Sequence, residues 1–128
     1  MANVLMVCLG NICRSPMAEG ILRSKAKKLG LNIEVDSAGT ADFHVGEAPD
    51  TRAIKTAKQF GVDISNLRGR QFNESDFDKF DFIFVMDGSN KDNVLKLARN
   101  EKDRTKVKLL LELTSEFDLK DVPDPWFG

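Results

Sequence analysis

The chain has 128 residues, of which 41% are hydrophobic and 30% charged, and its formal net charge at pH 7 is −1. This size and composition predict one ordinary globular domain with a core of its own. The charge balance argues against an overall electrostatic attraction to nucleic acid or to an anionic membrane, and no apolar run approaches membrane-spanning length.

A strand, a tight loop and a helix are predicted at the N-terminal end. Asn3 to Val7 is apolar on both faces, as expected of a central parallel strand covered by helices. Ser15 is predicted to cap the helix, with Pro16 at its first position and Gly30 at its end. The loop between strand and helix has the sequence Cys8-Leu9-Gly10-Asn11-Ile12-Cys13-Arg14.

This loop contains the groups that a phosphate-binding site needs. Gly10 and Asn11 tolerate the positive φ with which a loop curls around an anion. Inward-facing backbone N–H groups and the positive end of the helix dipole favour the thiolate form of Cys8. The guanidinium of Arg14 can bind two oxygens of one phosphate. We therefore predict a phosphate-binding loop with a nucleophile at its floor.

The loop also carries a family resemblance. Cys8, Arg14 and Ser15 form a Cys-x5-Arg-Ser pattern, and the longer string CLGNICRSPMAEG closely resembles the low-molecular-weight protein tyrosine phosphatases. The resemblance implies Cys8 as the nucleophile and Arg14 as the catalytic arginine, with no metal or organic cofactor. It implies a phosphotyrosine-containing protein as substrate and inorganic phosphate as product. The phosphate-binding residues that it implies are Leu9, Gly10, Asn11, Ile12, Cys13 and Ser15.

A second strand is predicted at Asn32 to Asp36, followed by the segment Ser37-Ala38-Gly39-Thr40 and a loop. By the resemblance, Ser37 supports Asn11 in the phosphate loop. From the residues alone, a simple strand-to-loop turn fits nearly as well. The resemblance also places Phe43 at the rim of the pocket, where an aromatic wall can stack on a phenyl ring. His44, the only histidine in the chain, is predicted to be a rim or surface residue.

Asp50 is predicted to cap a second helix that runs to about Phe60. Beyond it, Arg70 and Gln71 match the family's His-x-x-Arg-Gln stretch. Leu67 stands where the family often has a histidine that joins the hydrogen-bond network behind the phosphate loop. This departure puts that network in doubt, and Leu67 is left out of the predicted site.

Two more strands are predicted, at Asp81 to Asp87 and at Lys106 to Leu111, with a helix from Gly88 between them. Asp87 matches the family's Met-Asp pair beside the active site. It is predicted either to support the acid-bearing loop or to face solvent at the strand end. The alternation predicts a single doubly wound α/β domain with a four-stranded parallel sheet flanked by helices. The phosphate loop lies between the first strand and the first helix, at the carboxyl ends of the strands.

The C-terminal segment, residues 122–128, supplies a predicted general acid. Prolines on both sides of Asp124 fix the direction of its carboxylate, and a departing phenolate oxygen needs a proton. By the resemblance, Asp124 is that acid and Trp126 walls the pocket. Family members usually continue into a final helix. We therefore expect residues 1–128 to form one phosphatase domain without that helix, as a monomer or weak oligomer.

Cys13 carries a separate hypothesis. Two cysteines five positions apart, with no signal-peptide pattern at the N-terminus, predict a cytoplasmic protein whose thiols serve chemistry. Cys13 is positioned to trap an oxidised Cys8 as a reversible disulfide, the alternative being a small buried apolar residue.

Three other functions share parts of these motifs. Related arsenate reductases use further downstream cysteines, which this chain lacks. Protein-arginine phosphatases of the same fold have threonine at the position of Ile12, and isoleucine favours a phenyl ester. A phosphate-binding module that has lost turnover is the third alternative.

Overall fold

A computed structural model of the chain describes residues 2–11, 14–41 and 44–110. Its elements, in chain order, are β1 (Ala2–Cys8), α1 (Arg14–Leu29), β2 (Ile33–Gly39), α2 (Thr51–Gln59), α3 (Asp76–Lys79), β3 (Phe82–Val85), α4 (Gly88–Leu95), α5 (Glu101–Lys106) and β4 (Val107–Leu109). Of the predicted site, Ile12, Cys13, Phe43, Asp124 and Trp126 lie outside the described residues.

The four strands form one parallel sheet in the order β2-β1-β3-β4. Strand β1 is internal, and it pairs with β2 along its whole length, from Ala2 opposite Ile33 to Cys8 opposite Gly39. This sheet, with helices flanking it, confirms the predicted architecture. Because parallel strands end at the same edge, the loop that follows Cys8 lies where such sheets bind ligands.

Alternation along β1 directs its side chains into two apolar cores. Leu5 and Val7 are fully buried on one face, where they pack with residues of β3 and β4. Val4, Met6 and Cys8 are buried on the other face, the face that carries Ala18 and Leu22 of α1. The thiol of Cys8 therefore belongs to the layer between the sheet and α1.

Two predicted boundaries are wrong for reasons that concern the site. Strand β2 continues to Gly39, because Ser37 and its two successors pair with the last three residues of β1. Ser37 is therefore a strand residue and not part of a turn. Helix α1 begins at Arg14, so Ser15 lies inside it and not at its cap.

Other local predictions agree with the structure. Asp50 caps α2, with its carboxylate accepting a hydrogen bond from the Arg52 amide. Gly30 follows α1 with a φ of +70°, a conformation that glycine adopts at no steric cost. The short helices α3 and α5 have no counterpart in the prediction. Within the described ranges, none of the helices combines the length and apolar character needed to cross a bilayer.

Candidate active site

Cys8 is the last residue of β1, and its sulfur is surrounded by hydrogen-bonding groups. Only 3% of the residue is exposed. The backbone N–H of Asn11 donates to Sγ at 3.2 Å, and Ser15 Oγ lies 3.0 Å from the same sulfur. These contacts place the thiol at the inner end of the loop, where two hydrogen-bond donors can stabilise a negative charge on sulfur.

Asn11 holds the loop in its curled conformation. Its φ is +58°, in the left-handed region that asparagine tolerates better than most residues. Its side-chain Nδ2 donates to Ser15 Oγ at 2.8 Å and to Ser37 Oγ at 3.0 Å, and its Oδ1 accepts from the backbone N–H of Arg70 at 3.0 Å. The positive φ expected at Gly10 or Asn11 falls on Asn11; Gly10 does not share it.

The network continues behind the loop to a buried carboxylate, Glu19, which is not among the predicted site residues. Ser37 Oγ donates to Glu19 Oε1 at 2.5 Å, and Glu19 also pairs with Arg23. Glu19 is only 2% exposed, and this burial raises the pKa of its carboxyl above the ordinary value of 4.5, against the lowering effects of Ser37 and Arg23. The signal in the sequence was the spacing of Ser15, Glu19 and Arg23, which places them on one face of α1.

Leu67 does not interrupt this network. Its side chain packs beside the buried apolar cluster that contains Ala53, Ala57 and Ile64. Although position 67 carries leucine, hydrogen bonds behind the loop run from Asn11 through Ser37 to Glu19.

Arg14 is held by Asp87. Its Nη1 lies 2.8 Å from Asp87 Oδ2, with the two side chains 6% and 19% exposed. The other carboxylate oxygen accepts from the Asn90 amide and so caps α4. Asp87 therefore does not simply face solvent at the strand end, because it pairs with the arginine of the loop. Its predicted support of the acid-bearing loop concerns residues outside the described ranges.

The entrance of the loop is attached to the end of β2. The amide of Thr40 donates to the Cys8 carbonyl, and that of Ala41 to the Leu9 carbonyl, each at 2.9 Å. A Cβ added to Gly39 would lie 2.8 Å from the Leu9 carbonyl oxygen. Only glycine allows this close approach of two backbone segments. Leu9 itself is 42% exposed at the surface.

His44 belongs to the segment that follows this attachment. Its Nδ1 lies 2.8 Å from Glu47 Oε2. Two backbone hydrogen bonds join the segment to Gly69: the Gly46 amide donates to the Gly69 carbonyl, and the Gly69 amide donates to the Glu47 carbonyl. A side chain at Gly69 would collide with the His44 carbonyl oxygen. Among the described residues, His, Cys, Asp and Glu side chains form no group of three that would suit a metal ion.

The family model of the low molecular weight phosphotyrosine protein phosphatases matches residues 3–128. The chain belongs to this family. A low molecular weight phosphotyrosine protein phosphatase of Schizosaccharomyces pombe is 44% identical over 129 residues, which cover 98% of this chain and 81% of that protein. The low molecular weight protein-tyrosine-phosphatase YfkJ of Bacillus subtilis is 42% identical over 129 residues, or 99% of this chain and 82% of that protein.

Solved structures of this family have the same fold. The crystal structure of YfkJ aligns with a TM-score of 0.93 over 99% of this chain and 80% of that chain. A protein tyrosine phosphatase from Entamoeba histolytica, crystallised with Hepes in the active site, aligns with a TM-score of 0.94 at 34% identity, covering 100% of this chain and 82% of its own. The predicted family, fold class and enzyme class are thereby confirmed.

In this member of the phosphatase family, the described part of the chain brings most of the predicted site residues together. Cys8, Asn11 and Ser15 are in direct hydrogen-bond contact, and Leu9 and Gly10 complete the first half of the loop. Ser37 contacts Asn11, while Arg14 is paired with Asp87. The remaining predicted residues are the five that lie outside the described ranges.

Proposed function

We propose that this chain hydrolyses phosphotyrosine in proteins through a covalent phosphate on Cys8. The observation that carries the proposal is the hydrogen-bonded sulfur at the carboxyl end of β1, contacted by the Asn11 amide and by Ser15. The names of the relatives, low molecular weight phosphotyrosine protein phosphatases, support the substrate class.

In the first step, the Cys8 thiolate attacks phosphorus in line with the ester oxygen. An S–P bond forms and the bond from phosphorus to the phenolic oxygen breaks. Asp124 gives its proton to that oxygen, so that tyrosine leaves as a neutral phenol. Arg14 and the amides of the loop hold the equatorial oxygens while charge redistributes over them.

In the second step, water replaces the sulfur. Asp124, now ionised, accepts a proton from the attacking water, the new P–O bond forms and the S–P bond breaks with its electrons returning to sulfur. Inorganic phosphate is released. The Ser15 hydroxyl, 3.0 Å from Sγ, stabilises the thiolate as it departs.

The burial of the nucleophile agrees with an aryl ester as substrate, since only 3% of Cys8 is exposed. In the proposed mechanism a phenyl spacer carries the phosphoryl group to the sulfur, and the shorter ester of phosphoserine does not reach it. We also place the activity in the cytoplasm, because a thiolate nucleophile depends on a reducing compartment.

Hydrolysis of para-nitrophenyl phosphate by four proteins tests the proposal. We expect no turnover in Cys8→Ser and a loss of about 10²–10⁴-fold in kcat in Asp124→Asn, the usual contribution of a general acid. Asp121→Asn is the matched control, since it changes an acid that lies shortly before Asp124 in the sequence, and it should resemble the wild-type chain.

Phosphopeptides complete the test. A phosphotyrosine peptide should be hydrolysed and the same peptide with phosphoserine should not. Turnover retained by Cys8→Ser would overturn the mechanism. Equal hydrolysis of the two peptides would overturn the substrate class, and binding of phosphate without turnover would identify a binding module.

A further inference from the structure

We propose that Glu19 is a positioning residue for this reaction: its buried carboxylate fixes the direction of the hydrogen bonds behind the loop, so that Ser15 donates its proton to Cys8 Sγ. The inference rests on the proposed phosphatase function. Glu19 lies at the far end of a continuous chain of contacts from the sulfur, through Ser15, Asn11 and Ser37.

The orientation of the Asn11 amide is fixed first. The backbone N–H of Arg70 can only donate, and it lies 3.0 Å from Asn11 Oδ1. The oxygen of the amide must therefore face Arg70. As a result, the NH₂ group faces Ser15 and Ser37, and it donates to both hydroxyls.

The direction of the Ser37 hydroxyl follows from Glu19. Ser37 has one hydrogen and already accepts from Asn11. An ionised carboxylate only accepts, and Glu19 Oε1 lies 2.5 Å from Ser37 Oγ. The Ser37 proton therefore points at Glu19, which leaves the oxygen lone pairs of Ser37 available to Asn11.

The direction of the Ser15 hydroxyl is the consequence that matters for chemistry. Ser15 Oγ accepts from Asn11 at 2.8 Å, so its own hydrogen points elsewhere, and Cys8 Sγ lies 3.0 Å away. If the acceptor at Glu19 were lost, the Ser37 proton would turn toward the Asn11 amide and loosen it. Ser15 would then no longer be held with its hydrogen toward the sulfur.

The energetics of Glu19 support a functional role. A carboxylate with 2% exposure is expensive to keep ionised, and this burial raises its pKa. The partly exposed guanidinium of Arg23, which also donates to the Val35 carbonyl at 2.6 Å, offsets part of this penalty. A neutral residue at position 19 would avoid it. We infer that the charge is present for the hydrogen-bond direction that it imposes.

Glu19→Gln tests the direction of the network while keeping the shape of the side chain. Arg23 can only donate, so it should bind the amide oxygen of the new glutamine and turn the NH₂ group toward Ser37. Ser37 would then face a donor on both sides. Adding Arg23→Met should release the glutamine, whose oxygen can turn to Ser37 and restore an acceptor there.

The expected kinetic pattern separates positioning from folding. A less stabilised thiolate is a poorer leaving group, so breakdown of the cysteinyl phosphate should slow. In the attack step, the less stabilised thiolate is a stronger nucleophile, which partly offsets the loss in rate. We expect Glu19→Gln to lower kcat of para-nitrophenyl phosphate hydrolysis by about tenfold, which corresponds to the loss of one charge-assisted hydrogen bond. The loss in kcat/KM should be smaller, and the pre-steady-state burst should keep its full amplitude.

A matched control is available in α5. Asp103→Asn also neutralises a buried carboxylate that pairs with an arginine four positions away, Arg99, and it lies outside the network. It should leave kcat and the burst unchanged. The free energy of unfolding of each variant, measured in urea, is compared with its kcat. For Glu19→Gln, we expect the fall in kcat not to be explained by a change in the free energy of unfolding.

The double variant Glu19→Gln with Arg23→Met should recover part of the lost kcat. Wild-type kcat in Glu19→Gln, a burst reduced in proportion to kcat, or a further loss in the double variant would overturn the proposal.

If Glu19→Gln does not fold, Ser37→Ala breaks the same link. It should show the same kcat pattern, and unchanged kcat would overturn the inference. Absence of turnover in the wild-type chain would instead refute the proposed function.

Discussion

Asp87 binds Arg14 and caps helix α4 with the two oxygens of one carboxylate. Oδ2 lies 2.8 Å from Arg14 Nη1, and Oδ1 lies 2.8 Å from the amide nitrogen of Asn90. Because one oxygen is bound to the first turn of a helix, the other is held in a fixed position. Arg14 is the first residue of α1, and Asp87 attaches its guanidinium to the start of α4 as well.

Asp87→Asn separates these two functions of the carboxylate. Asparagine caps helices as well as aspartate does, so stability should change little, while the ion pair with Arg14 is lost. We expect kcat/KM for para-nitrophenyl phosphate to fall by about 10- to 100-fold, since a hydrogen bond between charged groups contributes roughly 1.5–3 kcal/mol. Thermal denaturation is measured beside the kinetics.

Asp50→Asn is the control for this change, because Asp50 caps α2 in the same way without contacting the loop. It should retain wild-type kcat/KM. If Asp87→Asn also retains it, the ion pair does not position Arg14 for the reaction.

Asn11 combines a conformational and a hydrogen-bonding function, which two substitutions can separate. Asn11→Gly removes the side-chain hydrogen bonds but permits the φ of +58°, whereas Asn11→Ala removes them and also strains the backbone. Both should lose most of kcat. We expect the alanine variant to be less stable than the glycine variant by about 1 kcal/mol in urea unfolding. Equal stabilities would show that the backbone conformation is not a constraint.

Gly39 is predicted to be essential for the position of the loop entrance. An alanine Cβ would lie 2.8 Å from the Leu9 carbonyl oxygen and 3.0 Å from the Gly10 carbonyl carbon, both of them backbone atoms. The loop must then shift, and we expect kcat to fall by about 10²-fold, as a displacement on the order of 1 Å can produce.

The control for Gly39→Ala is Gly88→Ala, since a Cβ at Gly88 meets nothing within 4 Å. That variant should keep full activity. Wild-type kcat in Gly39→Ala would show that the two segments can separate without harm to the reaction.

Arg99 should make stability depend on pH. It donates to Asp78 at 2.7 Å and to Asp103 at 2.8 Å, and these hydrogen bonds hold the pKa of both carboxyls below the ordinary value of 3.8. A carboxyl whose pKa is lowered by folding stabilises the fold above its unfolded pKa, and this stabilisation is lost as the pH falls through the folded value.

Arg99→Met should therefore lower the urea midpoint near neutral pH. Its difference from the wild type should shrink below about pH 4, where the carboxylates become protonated. Arg104→Met, which breaks an exposed pair with Glu101, is the control and should have little effect at either pH. A difference that persists unchanged in acid would contradict this account.

The sequence was sufficient for the sheet and for the first half of the loop. The apolar run that leads to Cys8 predicts β1, and the motif that begins at Cys8 predicts the phosphate loop and the helix after it. Asp50 and Gly30 could be identified as helix ends because capping depends on a few neighbouring residues.

The residues that complete the site depended on tertiary contacts. Glu19 and Arg23 have the spacing of an ordinary surface ion pair, and only the packing of α1 on β2 buries Glu19 beside Ser37. The end of β2 was missed for the same reason, because its last residues are extended by pairing with β1. Asp87 could be matched to the family, but its contact with Arg14 joins positions far apart in the chain.

The central claim is that phosphate passes through a covalent bond to Cys8. Rapid acid quenching of the enzyme with ³²P-labelled aryl phosphate, followed by peptide mapping, tests it directly. We predict one labelled phosphoryl group per active chain on the peptide that contains Cys8, and none in Cys8→Ser. Steady turnover without labelled enzyme, or label on a different peptide, would contradict the account.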